Sequence, residues 1–294
     1  LGMAEGLTGP SAQKEWWDVI SVVTDSCADL PPDLLDRYGI EVLPFRVHCG
    51  DRECWDGVDL DSTTVFRMVE ETGDLPRTAA PSVAEYAAAF DRPGEVVFVG
   101  IGSALSVGMQ NALLAAREYP VGKVHVVDSR NLSTGIGHLA ILAAEMRDAG
   151  LPAAAIARAL EAAAGRVRTA FVVDTLAYLH KGGRCTALAS LVGSVLRIRP
   201  VVAVQPDGTL GVRQRLRGRR RRALQALLDD LARHRERLDP RRVFVTHAGA
   251  EDAGWLAHEV QRVAAPQETL ITEAGCTISA HCGPNTIGIL YMTR

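Results

Sequence analysis

The stretch EVVFVGIGSALSVGMQ, residues 95–110, sets a strand, a small-residue loop and a helix in one line. Val96 to Val99 are apolar and mostly β-branched, a run short enough for a buried strand. Gly100, Gly102 and Ser103 break it. The segment from Ala104 to Arg117 combines helix formers with an apolar repeat and predicts a helix. In a parallel α/β sheet such a loop lies at the carboxyl end of the strand, where ligands bind. A helix starting behind it would offer free N–H groups and a positive dipole end to an anion. Ser103 and Ser106 add hydroxyl donors, although Ser103 also reads as a plain helix N-cap.

Two further segments repeat the arrangement. Asp25-Ser26 follows the apolar run Trp16 to Thr24 and precedes a helix ending near Tyr38, with Pro31-Pro32 at its start, where proline costs little. Asp128-Ser129 follows Lys123 to Val127 and precedes the apolar segment His138 to Ala149. Strands alternating with helices predict a parallel sheet, and right-handed crossovers gather the three loops on one edge. Between them, residues 74–82 read as a loop and Ser82 caps a helix over Val83 to Phe90. Gly150-Leu151-Pro152 is the best boundary. Beyond it, strands over Ile198 to Val204 and Leu210 to Leu216 flank the tight turn Gln205 to Thr209, a hairpin signal. A helix is expected over Ala187 to Leu196, and His281 sits in a turn before the last strand. The expected architecture is α/β: a Rossmann-like N-terminal domain with a parallel sheet (16–150), then a C-terminal α+β domain with a mixed or antiparallel sheet (151–294).

The chain has 294 residues, 47% apolar and 23% charged, an ordinary globular composition with room for about two domains. A net charge of -3 gives no general attraction to nucleic acid or an acidic membrane. No apolar run approaches the ~20 residues of a membrane span. Residues 1–15 lack the pattern of a secretory signal and are set aside. Six scattered cysteines without a CxxC pair fit reduced thiols and a cytoplasmic location. His48, Cys49 and Cys54 have no matching second pair, so no metal is expected.

Several groups could carry chemistry, each with a plainer alternative. Lys181-Gly182-Gly183-Arg184 reads as an anion or hinge site, or as a helix C-cap. His281 in HCGPN could bond a carboxylate or serve the fold. Thr78 could donate to a ligand or cap a helix. Residues 213–222 hold seven arginines without interleaved aromatics, which fits a docking face for an acidic partner, a solvated helix start, or phosphate binding. A GxSxG elbow and an HExxH motif are both missing. This inventory suits holding an anion better than transforming one.

In order, the chain carries TDSCADLPPDL (24–34), Thr78-x-x-Pro81-Ser82, Ser103-x-Leu105-Ser106 with Gln110 and Ala112, VVDSRNLSTGIG (126–137), Leu176-x-Tyr178-Leu179-x-KGGR (181–184) and HCGPNTIGI (281–289). Taken together these resemble the DegV family of bacterial fatty-acid-binding proteins, over nearly the whole chain from Asp18. The resemblance implies a two-domain protein with one long-chain fatty acid between the domains and no other cofactor. It further implies the binding subunit of a fatty acid kinase, without catalytic machinery of its own. A separate kinase subunit would phosphorylate the bound carboxylate to an acyl phosphate. On this resemblance Thr78, Ser103 and His281 bind the carboxylate, with Ser26, Ser106, Ser129 and Arg184 in support. Arg215 and Arg217 look like kinase-facing residues.

The sequence departs from the family pattern at Ala79, Gly102 and Asn285, and these changes bear on which ligand is held. Two rival readings use the same residues: an autonomous hydrolase or phosphotransferase acting on an anion, and a nucleic-acid-binding regulator using residues 213–222.

Overall fold

The computed structural model describes residues 19–184 and 198–294. The helix expected over Ala187 to Leu196, the residues Trp16 to Asp18 and Cys185 lie outside the described residues.

Strands β1 (Ile20–Asp25), β2 (Ile40–Leu43), β6 (Glu95–Gly100) and β7 (Val124–Asp128) form a parallel sheet in the order β2-β1-β6-β7. The chain leaves β1 toward β2 through helix α1 (Pro32–Tyr38) and later returns to β6 on its other side. The strand order therefore reverses between β1 and β6, which opens a crevice at their carboxyl ends. Helices α3 (Val83–Phe90) and α4 (Gly108–Ala116) cover one face, with Tyr86, Phe90 and Met109 packed in one cluster with Phe98 of β6. A reciprocal Ser82–Glu85 capping box starts α3; the sequence marks Ser82 as its cap, and Glu85 completes the box.

The other face packs on α5 (Thr134–Asp148) and α6 (Ala153–Ala164). Thr134 to Ala144 are buried without interruption, because α5 touches the parallel sheet on one side and a second sheet on the other. An apolar sequence all round a helix fits such a place. The second sheet runs β10 (Leu210–Arg217), β9 (Ile198–Val204), β8 (Val167–Val172), β13 (Ile287–Thr293), β11 (Leu238–His247), β12 (Glu268–Glu273). All its pairings are antiparallel except β11 with β12. Its far face is closed by α8 (Arg220–His234) and α9 (Ala253–Ala264). The buried hydroxyls of Thr134, Thr246 and Thr272 make a chain of 2.7 and 2.8 Å bonds from α5 through β11 to β12.

A third, small antiparallel sheet joins β4 (Arg52–Trp55), β3 (Arg46–Cys49) and β5 (Arg77–Ala79). The sequence predicts only a loop where β5 lies. Its three residues are extended because they pair with β3, Thr78 opposite Val47. Near it lie α2 (Ser62–Thr72) and α10 (Cys276–Cys282). A short α7 (Ala177–Lys181) precedes the two glycines at 182 and 183.

Two local expectations change. The helix expected from Ala104 begins at Gly108 and has no side-chain cap. The Gly102 N–H donates to the Asn131 carbonyl at 2.8 Å, which holds residues 101–107 as a loop. His281 lies on the last turn of α10 rather than in a turn. Asp56 on the small sheet's flank accepts from the Cys276 and Thr277 N–H groups at 2.6 and 3.1 Å. A cap supplied from 220 residues away leaves no local mark in the sequence.

Candidate functional site

The three hydroxyl-rich loops do converge on the carboxyl edge of the parallel sheet, but they bond one another. The Ile101 N–H donates to Asp25 at 2.8 Å, and Cys27 N–H to the same carboxyl at 3.1 Å. Burial pushes the Asp25 carboxyl up to about 7, while these N–H donors pull against that rise. Ser103 is exposed, and its Oγ donates to Asp128 at 2.6 Å. Ser26 donates to Asp56 at 3.0 Å, and the buried Ser129 exchanges bonds with Asn131. None of these three serines lines the cavity described next. Ser103, Ser26 and Ser129, expected from the sequence at the ligand, thus lie off that cavity, with their hydroxyls bonded to Asp128, Asp56 and Asn131.

The cavity lies between the β6–α4 loop, the start of α5, the second sheet and α10. It spans about 810 Å³, counting the space at its mouth. Phe45, Leu105, Leu132, Phe171, Leu179 and Leu290 give it apolar walls. Several threonines and serines also line it, yet most have turned their hydroxyls to protein. Ser133 donates to Asp29 at 2.5 Å, Thr169 to Asn131 at 2.7 Å, and Thr286 to the Cys282 carbonyl at 2.9 Å. Such side chains present mainly carbon to the slot.

Polar groups gather where α10 meets β5. Thr78 Oγ1 and His281 Nε2 lie 2.8 Å apart. Burial, then the positive charge of Arg184, pushes the His281 pKa down to about 4, so its ring is neutral at pH 7. Arg184 donates to the Gly182 carbonyl at 2.6 Å and to that of Leu105 at 3.4 Å, which brings the KGGR turn to the cavity wall. Ser106, half-buried on the same wall, accepts from the Gly108 N–H at 3.1 Å. Thr78, Ser106, Arg184 and His281 are thus the sequence candidates that the fold brings to one cavity. Gly182 has a definite reason: a Cβ there would stand 2.5 Å from His281 Nδ1.

The sequence reading missed Thr277, one helical turn before His281 on the wall of the same cavity. The spacing from His281 in GCTISAH was the available signal, visible only once the segment is known to be helical. The arginine run divides. Arg213 pairs with Asp230, and Arg220 with Asp174 and Asp252. Arg221 stacks 3.3 Å over the Trp255 ring. Arg215 and Arg217 are exposed on edge strand β10 and form no ion pair among the described residues. Among the described residues no cluster of three metal-ligating side chains occurs, and no helix is long and apolar enough to cross a membrane. Cys27, Cys49, Cys54, Cys276 and Cys282 are buried free thiols.

The fold and cavity define an α/β protein with a mostly apolar slot that ends in hydrogen-bonding groups and one guanidinium, Arg184. The sequence profile of the DegV family matches residues 19–294, and the chain belongs to that family. It is 32% identical to a DegV domain-containing protein of Deinococcus radiodurans over 284 residues, covering 92% of this chain and 97% of that one. Among solved structures it resembles a fatty-acid-binding DegV family protein from Thermus thermophilus at 31% identity and a TM-score of 0.87, covering 94% of this chain and 99% of that one. It shares its fold, at 21% identity and a TM-score of 0.81, with the Streptococcus pneumoniae fatty acid kinase (Fak) B3 protein, solved with linoleic acid; the coverage is again 94% and 99%.

Proposed function

We propose that this chain binds one long-chain fatty acid, with the carboxylate among Thr78, Ser106, Arg184 and His281 and the acyl chain in the slot. The carrying observation is the segregation of the cavity: one polar end around the 2.8 Å Thr78–His281 pair, and walls that elsewhere, His247 aside, are mostly apolar. A carboxylate taken from water must be hydrogen-bonded, and hydroxyl and guanidinium donors do this. The tail contributes about 0.8 kcal/mol per buried CH₂, so a dozen methylenes give roughly 10 kcal/mol before entropic losses. The fatty acid bound by the Thermus thermophilus relative supports the ligand class.

In this reading the chain performs no chemistry alone. It works in the cytoplasm and presents the carboxylate to a separate kinase subunit, which makes the acyl phosphate. Arg215 and Arg217, exposed on an edge strand, form the docking face.

Native mass spectrometry of freshly purified protein, followed by denaturation and lipid extraction, tests the ligand class. An adduct released as a free fatty acid is expected. A ligand-free mass, with no uptake of added palmitate or oleate, would overturn the reading.

A further inference from the structure

Thr277 is 3% exposed, lines the slot, and its hydroxyl has no hydrogen-bond partner among the described residues. A buried polar group in that state is costly, and native proteins rarely leave one so. Thr277 is the second residue of α10, so no helical carbonyl lies one turn back to take its hydroxyl. Its backbone N–H is engaged with Asp56, so the residue's part in starting α10 needs no hydroxyl. Valine would fill the same volume without the penalty. The other threonine and serine hydroxyls on the wall each have a partner, from Thr78 with His281 to Thr246 between Thr134 and Thr272. Thr277 is the exception, and it sits one turn from His281, on the same helix face.

We infer that Thr277 is a further ligand-binding residue: its hydroxyl donates to an oxygen of the bound head group. The inference rests on the fatty-acid reading and deepens it. A carboxylate has two oxygens with about four acceptor positions, enough to serve the Thr78–His281 pair with one oxygen and Thr277 with the other. The head group is thereby gripped across α10 rather than at its end alone. A hydrogen bond to a charged acceptor is stronger than one between neutral groups, so the isolated hydroxyl has most to gain from an ionised acid.

The test compares wild type, Thr277→Val and Thr277→Ser, all stripped of lipid, by calorimetric titration with palmitate and by thermal melting without it. Thr277→Val is expected to weaken palmitate binding about tenfold, and Thr277→Ser to stay within about threefold of wild type. The stripped Thr277→Val protein is expected to melt at or above the wild-type temperature, since it sheds an unsatisfied group. Unchanged affinity in Thr277→Val would overturn the inference and leave the fatty-acid reading standing. Weaker binding together with a lower melting temperature of the stripped variant would assign Thr277 a structural role and overturn it as well. Failure of the wild type itself to bind palmitate would sink the fatty-acid reading, and the inference with it.

Discussion

Thr78 and His281 stand 203 residues apart in the chain and share a 2.8 Å hydrogen bond across the polar end of the cavity. One comes from the shortest strand of the small sheet, the other from the last turn of α10. Neither element is stable alone, so the pair exists only where the two are held together.

If the pair acts as a unit, its members will not contribute independently. Thr78→Val and His281→Ala are each expected to weaken palmitate binding about tenfold, near 1.4 kcal/mol. The double variant should lose clearly less than the sum, because either single change already breaks the contact. Strictly additive losses in a titration cycle would mean that the two residues act separately.

Ser103 and Ser106 separate a loop role from a cavity role. Ser103→Ala removes an exposed bond to Asp128 and should leave palmitate affinity within about twofold. Ser106→Ala removes a hydroxyl on the cavity wall and should weaken it. The opposite order of effects would return the head group to the β6 loop.

Two adjacent glycines in the KGGR turn should respond differently. Gly182→Ala would put a methyl group 2.5 Å from His281 Nδ1 and 2.9 Å from the Tyr178 carbonyl oxygen, so α10 or the turn must move. Gly183 has φ +69° and nothing near its missing Cβ, so Gly183→Ala meets backbone strain only, about 1 kcal/mol. Gly182→Ala is expected to lower palmitate affinity, and Gly183→Ala to lower only the melting temperature. Equal affinities in the two variants would deny Gly182 its part in seating the histidine.

The pH dependence has a definite sign. Burial holds His281 and His138 at about 4, against 6.5 for a free imidazole. Between those values the unfolded chain binds more protons than the folded one, so stability falls as pH falls from 6.5 toward 4. Above 6.5 the contribution is complete, and a shift of that size is worth about 3 kcal/mol per histidine. Asp25 acts oppositely: raised to about 7, it stabilises fully below 3.8 and less as pH rises through 7. Comparing wild type with His281→Gln isolates one group. The stability gap measured by urea unfolding should shift in favour of the variant between pH 7 and pH 4.5. A gap independent of pH would show that His281 is not held neutral.

Reversing the charge at Arg215 and Arg217 should leave palmitate binding unchanged and impair acyl phosphate formation with a kinase subunit. Both side chains are exposed on an edge strand and hold no ion pair of the described fold. Undiminished acyl phosphate formation would place docking elsewhere.

Much of this molecule is legible from sequence, and the failures share a cause. β6 could be read because Val96 to Val99 carry their own β-branched pattern, and α3 because Ser82 and Glu85 cap it within four residues. The 205–209 hairpin signals itself in the same local way. The start of α4 could not be read, because Ala104 and Leu105 favour a helix and a bond from Gly102 to Asn131 overrides them. β5 owes its extension to β3, and α10 its first turn to Asp56. For the candidate site, residue type singled out Thr78, Arg184 and His281, which the fold brings to one cavity. Ser103 carried the same chemical signal, and only the position of Asp128, 25 residues on, shows that its hydroxyl is engaged. Thr277 looked like an ordinary helix residue until its lack of a partner among the described residues was visible.

The placement of α5 between two sheets has a practical consequence. Near the start of that helix the cavity is lined by Leu132 and Ser133 and, from the second sheet, by Thr246 and Leu290. On the proposed function, a lipid seated there would touch both layers and the helix they share, a non-covalent rivet through the centre of the molecule. Ligand that binds only the folded state raises its stability by RT ln(1 + [L]/Kd). If the proposed function holds, material purified from a lipid-containing host will melt at a temperature set partly by the host's own lipids. Comparisons between variants, and between preparations of one variant, become meaningful when fractional lipid occupancy is measured beside each melting curve.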